Sequence, residues 1–125
     1  MSTALAIVGH GKMGRLIEQL APGFGFEVRA RFTSSDVGSL SAETLRGARI
    51  AVEFSTPKAA PRNLQRLASL GVNTVCGTTG WLEHLPEVHE AVMAAGTALV
   101  WSANFSLGVN AFLQTVARAA TFFAK

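Results

Sequence analysis

The chain has 125 residues, of which 49% are apolar and 15% charged, with a formal net charge of +3 and one cysteine. This length suffices for one domain with a core, and the apolar content excludes intrinsic disorder. A single cysteine excludes a disulfide framework and a zinc site built from several cysteines, and no metal site is predicted. Because the sequence shows neither an apolar run near the roughly 20 residues of a membrane span nor a basic secretory leader, we expect a soluble cytoplasmic domain.

The positive charge is concentrated in the first half of the chain. Residues 1–66 carry nine Lys and Arg against five Asp and Glu, whereas residues 67–125 carry two against three. A basic half suits an anionic partner such as a phosphorylated cofactor or a nucleic acid. Dense Lys/Arg runs and basic helix stripes are missing from the sequence, so nucleic-acid binding is not predicted. An ordinary solvated surface accounts for most of the arginines.

Strand and helix patterns alternate in the first half of the sequence. A short apolar run predicts a strand at residues 5–8, and apolar residues three and four apart predict a helix at residues 12–20. Alternating polarity predicts a second strand at residues 27–32. The polar stretch that follows leaves room for a short helix near residues 42–46, and a third strand is predicted at residues 48–54.

The alternation continues to the end of the chain. Ser55 or Thr56 is expected to cap a helix that has Pro57 in its first turn and runs to about Leu70. The remaining predicted elements are a strand at 73–76, a helix at 83–95, a strand at 97–101 and a helix at 107–123. Five strands alternating with helices predict an α/β fold, a Rossmann-type, doubly wound parallel sheet in the order 3-2-1-4-5.

A glycine-rich turn joins the first predicted strand to the first predicted helix. Residues 9–14 read Gly-His-Gly-Lys-Met-Gly, the G-x-G-x-x-G pattern in its required context. Gly9 permits a tight turn, Gly11 lets the backbone approach a pyrophosphate, and Gly14 allows close packing of helix on strand. Lys12 in the first helical turn either faces a phosphate or is an ordinary surface residue that contributes to solubility. The pattern predicts a dinucleotide site, with a turn that binds nothing as the alternative.

The end of the second predicted strand bears on the choice between NAD and NADP. An NAD-selective site usually has an acid about 20 residues beyond the glycines, where this chain has Thr33 and Ser34. Arg31 shares a strand face with Arg29, and hydroxyls with a guanidinium accept a 2′-phosphate that an acid would repel. We therefore expect NADPH, or use of both cofactors, with Thr33, Ser34 and Arg31 as ligands. Alternatively, the arginines point elsewhere and Asp36 reaches the ribose.

Polar clusters follow the last three predicted strands. They are Ser55-Thr56, residues 77–80 and residues 102–106. Each alone is more often a turn or a helix cap. Ligands of open α/β sheets bind beyond the carboxyl ends of the strands, so the three together predict a site at that edge. Hydroxyls, a carboxamide and backbone N–H groups can bind a nicotinamide amide or a substrate carboxylate.

Four segments together resemble one enzyme family. They are V-G-H-G-K-M-G-R at 8–15, V-E-F-S-T-P at 52–57, C-G-T-T-G at 76–80 and A-N-F-S-L-G-V-N at 103–110. They are similar to dihydrodipicolinate reductase, also called 4-hydroxy-tetrahydrodipicolinate reductase, over its amino-terminal part. The resemblance implies that NADPH or NADH gives a hydride to a cyclic, unsaturated dicarboxylate, forming tetrahydrodipicolinate in lysine and diaminopimelate biosynthesis.

The resemblance also implies roles for individual residues. The glycine turn would hold the pyrophosphate, Thr33 and Ser34 the ribose, and Thr79 would lie near a substrate carboxylate as well as the nicotinamide. The residues expected to bind the cofactor are Gly9, His10, Gly11, Lys12, Met13, Gly14, Arg31, Thr33, Ser34, Phe54, Ser55, Gly77, Thr78, Thr79, Ser102, Ala103, Asn104 and Phe105.

The family's second domain, which carries a His-His-x-x-Lys motif and builds a homotetramer, has no counterpart in this sequence. We therefore expect residues 1–125 to form a dinucleotide-binding domain without a catalytic residue, which binds cofactor with little turnover. None of His10, His84 and His89 is assigned to catalysis, and the last two are expected on an exposed helix. A non-catalytic NAD(P)-binding module, regulatory or redox-sensing, is the alternative function.

Three further residue types have structural interpretations. Cys76 is expected to be a small core residue. Glu53 lies inside an apolar strand, so it sits either at a sheet edge or bonded near the cofactor. Phe112, Phe122 and Phe123 are predicted to pack, although part of the last helix can form an exposed apolar patch that promotes self-association.

Overall fold

Five parallel strands form one sheet in the computed structural model, which describes residues 1–124. The strands are β1 Thr3–Val8, β2 Phe26–Phe32, β3 Ile50–Glu53, β4 Asn73–Cys76 and β5 Leu99–Trp101. The helices are α1 Lys12–Leu20, α2 Ala60–Ser69, α3 Leu85–Ala95 and α4 Leu107–Phe123. The predicted Rossmann-type parallel sheet is confirmed.

The predicted strand order was wrong. The order is 2-1-3-4-5, not 3-2-1-4-5, because β3 pairs with β1 rather than lying outside β2. In its observed place β3 is paired on both sides, and Ala51 is fully buried. β2 is an edge strand, and its charged residues Glu27, Arg29 and Arg31 stay exposed. A strand docked outside β2 would have enclosed that charged segment within the sheet.

The helix predicted from residue 55 begins at Ala60 instead. Ser55 cannot cap it, because its hydroxyl donates to Glu53 and its N–H to the Thr78 hydroxyl. Residues 55–59 form a turn in which the Thr56 carbonyl accepts from the Ala60 N–H at 2.9 Å. Thr56 also precedes a proline, which disfavours helical backbone there. The helix starts without a side-chain cap and has Pro61 in its first turn.

Other boundaries differ by smaller amounts. Residues 42–46 form turns rather than a helix, and the chain reverses there through Arg46 and Gly47, both with positive φ. A short 3-10 helix that was not predicted lies at Val37–Ser39, and another at Leu82–His84 precedes α3. The predicted first and second strands begin earlier, at Thr3 and Phe26, whereas the third and fifth are shorter than predicted. The bounds of α1, β4 and α4 match the prediction.

The core lies mainly between the sheet and the helices α2 and α3. Leu67 of α2 packs with Val8 and Phe32, whereas Leu64 packs with Trp81 and Val88. Burying such an aliphatic side chain contributes about 1.5–3 kcal/mol. Because side chains alternate along β1, Ile7 faces the opposite side and meets α1. This packing fixes the carboxyl ends of the strands along one edge.

The helix α4 is exposed along its whole length. Phe112, Phe122 and Phe123 are 66%, 77% and 84% exposed, so the prediction that they pack was wrong for the residues described. The expected exposed apolar patch is present. Ser106 caps the helix by accepting the Val109 N–H at 3.3 Å. None of the helices in residues 1–124 is both long enough and apolar enough to cross a membrane.

Three predictions on single residues are confirmed. Cys76 is buried in the core, and His84 and His89 are exposed. Within the described part of the chain, His, Cys, Asp and Glu side chains form no group of three that could hold a metal ion.

Candidate functional site

The glycine turn lies at the carboxyl edge of the sheet, and its glycines differ in their surroundings. A Cβ on Gly9, which has φ +92°, would fall 2.1 Å from the Phe54 carbonyl oxygen. A Cβ on Gly14 would fall 2.2 Å from the Gly9 carbonyl oxygen. Gly11 has no atom within 4 Å of such a Cβ. Gly9 and Gly14 therefore shape the turn, whereas Gly11 leaves open space above it.

The start of α1 is open to an anion. Gly11 caps the helix without a side-chain hydrogen bond, and the first turn contains Lys12 but no acid. The first N–H groups of a helix have no partner within the helix, and they carry the positive end of its dipole. A phosphate placed over Gly11 would meet these groups and the Lys12 charge.

Two clefts adjoin at this turn and share Gly11, Phe54 and Ser55. The first has a volume of about 330 Å³ and the second about 380 Å³. The first cleft is lined by Val8, Gly9, His10, Gly11, Thr33, Ser34, Val37, Phe54, Ser55, Thr56, Ala59 and Asn63. The second cleft is lined by Gly11, Lys12, Met13, Phe54, Ser55, Pro57, Gly77, Thr78 and Thr79.

Phe54 forms the wall between the clefts. Its N–H donates to the Val8 carbonyl at 2.8 Å, which ties it to the end of β1. Its ring lies against Gly77, where a Cβ would fall 2.0 Å from the ring. Only glycine at position 77 lets the ring and the loop after β4 approach so closely. The glycines at 9 and 77 thus hold Phe54 from both sides.

Glu53 is fully buried beneath this wall and accepts hydrogen bonds from four side chains. One oxygen accepts from Thr78 at 2.6 Å and from the Cys76 thiol at 3.3 Å. The other accepts from the Ser55 hydroxyl and from the Asn63 amide, the latter at 3.2 Å. Glu53 therefore lies near the candidate site, bonded within a central strand, and not at a sheet edge.

In the network around Glu53, two hydroxyls that were predicted to belong to the site, those of Ser55 and Thr78, are hydrogen-bonded to other protein groups. The Thr78 hydroxyl donates to Glu53 and accepts the Ser55 N–H at 2.8 Å. The Ser55 hydroxyl donates to Glu53 and accepts from Asn63 at 3.3 Å. Ser55 and Thr78 line the clefts with these groups already paired. The hydroxyl of Thr79, in contrast, has no partner among residues 1–124.

Cys76 belongs to the same hydrogen-bond network, and its thiol is expected to react weakly. Burial, together with the negative charge of Glu53, raises the pKa of the Cys76 thiol to about 12. The thiol is therefore neutral near physiological pH and serves as a hydrogen-bond donor to Glu53.

On the other side of the glycine turn, Glu18 joins the turn to β2. One carboxylate oxygen bonds His10 Nε2 at 2.6 Å, and the other accepts from Arg31. The hydrogen bonds from Arg31 and then His10 lower the pKa of the Glu18 carboxyl. His10 lines the first cleft, whereas Arg31 lines a separate hollow next to Pro22. The structure thus brings His10 to the candidate site and holds Arg31 away from it.

The end of β2 carries the residues predicted at the ribose. Thr33 and Ser34 line the first cleft. The Asp36 carboxylate accepts both the N–H and the hydroxyl of Thr33, and these bonds lower the pKa of Asp36. Asp36 is therefore directed at the loop itself and does not line the cleft.

The segment 102–105, whose residues are expected to bind the cofactor, lies apart from both clefts. Ser102, Ala103, Asn104 and Phe105 follow β5 but line neither cleft. The Ser102 hydroxyl donates to the Asn104 carbonyl at 2.8 Å, and the Asn104 side chain accepts the Ser106 N–H. This segment forms a self-contained turn before α4, and its contact with a ligand stays a prediction.

Sequence reasoning missed several residues that line the first cleft, among them Val37, Ala59 and Asn63, whereas Thr56 of the predicted Ser55-Thr56 cluster does line it. Asn63 had a detectable signal. It occupies a position of the buried stripe of α2 that otherwise holds Ala60, Leu64 and Leu67. A polar residue on such a stripe needs a buried partner, which here is Glu53.

Comparison with known proteins agrees with this architecture. Residues 3–105 match the family model described as "Dihydrodipicolinate reductase, N-terminus". The chain belongs to this family. The resemblance found in the four sequence segments is therefore confirmed.

Relatives in the dihydrodipicolinate reductase family come from bacteria and archaea. The 4-hydroxy-tetrahydrodipicolinate reductase of Christiangramia forsetii is 30% identical over 88% of this chain and 45% of its own length. The one from Archaeoglobus fulgidus is 33% identical over 88% of this chain and 48% of its own length. The chain thus spans about half the length of the curated relatives it matches.

Solved structures share the fold at low sequence identity. GenD2 from gentamicin A biosynthesis, in complex with NAD, has a TM-score of 0.66 at 17% identity, over 83% of this chain and 35% of its own. A hyperthermophilic archaeal homoserine dehydrogenase mutant in complex with NADPH has a TM-score of 0.60 at 17% identity, over 81% of this chain and 44% of its own. At this level of identity, these similarities show a shared fold, the parallel sheet with its helices.

Proposed function

We propose that this chain is the nicotinamide-dinucleotide-binding domain of a reductase. The observation that carries the proposal is the pair of clefts that meet at Gly11 over the open start of α1. A dinucleotide has two nucleoside halves joined by a pyrophosphate, and this arrangement offers two hollows joined at an anion site. The structural relatives bound to NAD and NADPH support the same assignment.

The residues present fit such a cofactor. The space above Gly11, which a Cβ would enter freely, accommodates the pyrophosphate, and Lys12 and the first N–H groups of α1 would bind it. Thr33 and Ser34 would bind the ribose in the first cleft. Gly77 and Thr79 would border the nicotinamide in the second cleft, beside the ring of Phe54. When bound, the nicotinamide supplies the hydride, and the chain supplies position and electrostatics.

For the whole protein we propose reduction of a cyclic dicarboxylate, dihydrodipicolinate or its hydrated form, in lysine and diaminopimelate biosynthesis. Family membership supports this substrate class. The hydroxyl of Thr79, which has no partner among residues 1–124 and lines the second cleft, would bind a substrate carboxylate at the nicotinamide end. His10 is bonded to Glu18, and we assign no proton donor among the cleft residues. We therefore expect the 125-residue chain alone to bind cofactor with little turnover.

NADPH is the proposed preference over NADH. The residues at the end of β2 that line the cleft are Thr33 and Ser34, and neither would repel a 2′-phosphate. The nearest acid, Asp36, is bonded to Thr33. Calorimetric titration with both cofactors tests the preference, and clearly tighter binding of NADH would contradict it.

Gly11→Val tests the site itself. The valine would project into open space, so we expect an unchanged melting temperature but a loss of cofactor affinity of at least about tenfold. Gly23→Val is the matched control, because a Cβ at Gly23 also meets nothing within 4 Å and Gly23 lines neither cleft. Equal affinity of the Gly11 variant and the wild type would refute binding at the glycine turn.

Turnover is tested separately from binding. Purified substrate is added to the chain with NADPH, and loss of NADPH absorbance is followed. Binding without turnover is the expected result. It also fits a non-catalytic NAD(P)-binding module, and substrate-induced tightening of NADPH binding would favour the reductase over that alternative.

A further inference from the structure

We propose that Lys58 and Arg62, at the start of α2, form the subsite for the 2′-phosphate of NADPH. This inference rests on the proposed function and specifies how the chain would distinguish the two cofactors. It assigns the selectivity to the loop and helix after β3 rather than to an arginine of β2.

A groove of about 820 Å³ continues from the first cleft between the loop after β2 and helix α2. The groove and the first cleft have in common Ser34, Val37, Thr56, Ala59 and Asn63. A ribose bound at Thr33 and Ser34 would therefore have the mouth of the groove beside it. A phosphate carried by that ribose would enter the groove rather than the bulk solvent.

The lining of the groove is cationic and contains no acid. Its charged residues are Lys58, Arg62 and Arg66. Arg66 is partly engaged, because its Nε donates to the Leu40 carbonyl at 3.1 Å. Lys58 and Arg62 are exposed and have no hydrogen-bond or ion-pair partner in residues 1–124. Their charges are available to a dianionic ligand, and Ser34 and Ser35 line the same groove.

The amino end of α2 also favours an anionic ligand. α2 has no acid in its first turn and no side-chain cap, and Arg62 lies in that turn. A cation at the amino end of a helix opposes the helix dipole, so this placement costs stability unless an anion binds there. The start of α1 repeats the pattern with Lys12. In this proposal the start of α1 would bind the pyrophosphate, and the groove beside the start of α2 would bind the 2′-phosphate.

Arg31, the arginine that the sequence predicts for this role, is paired with Glu18. It bonds Glu18 and lines the hollow with Ser2, Pro22 and Phe26, away from both clefts and from the groove. Its charge is already balanced by a carboxylate. The cations of α2 are therefore better placed for the 2′-phosphate than the arginine of β2.

The test compares cofactor affinities of the full chain and its variants by calorimetry. The variants are Lys58→Gln, Arg62→Gln, the double variant, Arg31→Gln and, as a charge-matched control on an exposed residue away from the groove, Arg49→Gln. We expect the double variant to bind NADPH about 10- to 100-fold more weakly while NADH affinity changes less than about twofold. The fragments 2′,5′-ADP and 5′-AMP should show the same split, and the melting temperatures of the cofactor-free variants should not fall below that of the wild type.

The outcomes separate this inference from the proposed function. Wild-type chain that binds neither dinucleotide contradicts the proposed function. Wild-type chain that binds NADPH, with a double variant that loses no NADPH affinity or loses NADH affinity equally, overturns the subsite alone. A selective loss of NADPH in Arg31→Gln but not in Arg62→Gln overturns it in favour of β2.

Discussion

The carboxyl edge of the sheet has a closed part and an open part. The closed part comprises the ends of β3 and β4 around Glu53, where the polar side chains are paired with one another and Gly77 packs on Phe54. The open part comprises Gly11, Lys12 and the start of α2, where backbone and cations face empty space. Within the described residues, no buried side-chain nitrogen or oxygen lacks a partner. Unpaired polar groups are thus found at the surface of the open part, where a ligand can reach them.

The largest expected difference concerns the thiol in the closed part. A rise in the pKa of Cys76 from 9.0 to about 12 lowers its thiolate fraction about 1000-fold near neutral pH. We expect native protein to react with a thiol-alkylating reagent at least about 100-fold more slowly than protein unfolded in urea. Mass spectrometry of the single cysteine measures both rates. Comparable rates would show that the closed part opens to solvent.

The next largest effect comes from the two glycines of the turn. Gly9→Ala would place a Cβ against the Phe54 carbonyl at a positive φ, so we expect a loss of about 3 kcal/mol or more in the free energy of unfolding. Gly11→Ala, which meets nothing, should change it by less than about 0.5 kcal/mol. Urea unfolding of both variants gives the comparison. Similar losses of unfolding free energy in Gly9→Ala and Gly11→Ala would contradict the distinction between a tightly packed Gly9 and an open Gly11.

Glu53→Gln is expected to have an intermediate effect. The glutamine amide would direct N–H groups at side chains that are themselves donors, so at least one hydrogen bond to the buried group is lost. We expect destabilisation of about 2–3 kcal/mol by urea unfolding. The same change at the exposed Glu27 is the control and should leave the free energy of unfolding nearly unchanged. A Glu53 variant as stable as its control would mean that the network contributes nothing.

The smallest effect is expected at Glu18 of α1, which lies outside the closed part. Its folded pKa is lowered, so its contacts with Arg31 and His10 stabilise the fold above the unfolded pKa and are lost as pH falls through the folded pKa. Because Glu18 is partly exposed, Glu18→Gln should cost only a few tenths of a kcal/mol near neutral pH. The difference should vanish in acid. A cost that persists below the folded pKa would indicate packing rather than charge.

Local signals predicted local structure well. The bounds of α1 and α4 were predicted because apolar spacing and flanking turn residues mark them, and the three tasks of Gly9, Gly11 and Gly14 follow from the G-x-G-x-x-G pattern. The position of β3 beside β1 was not predictable in this way, because strand pairing is decided by which edge buries the most apolar surface.

The contacts of the site residues could not be predicted for a similar reason, because they join residues that are far apart in the sequence. Alternation placed Arg29 and Arg31 on one face of β2, but it contained no information on Glu18, which comes from another element. Glu53 was recognised as unusual, yet its four donors come from β4, α2 and two loops. The exposure of Phe122 and Phe123 likewise depends on which surfaces α4 contacts, and the apolar spacing of the helix does not predict those contacts.

The position of β1 between β2 and β3 has a consequence for the order of folding. Leu5 pairs with Val28 on one side and with Ile50 on the other, so both neighbours lie far along the chain. Parallel strands of this kind pair slowly, because each pairing must first close a long loop. A nascent chain that has released only β1, α1 and β2 lacks the Phe54 carbonyl against which Gly9 packs. The turn over which a phosphate would bind therefore takes its final shape only after synthesis has passed β3.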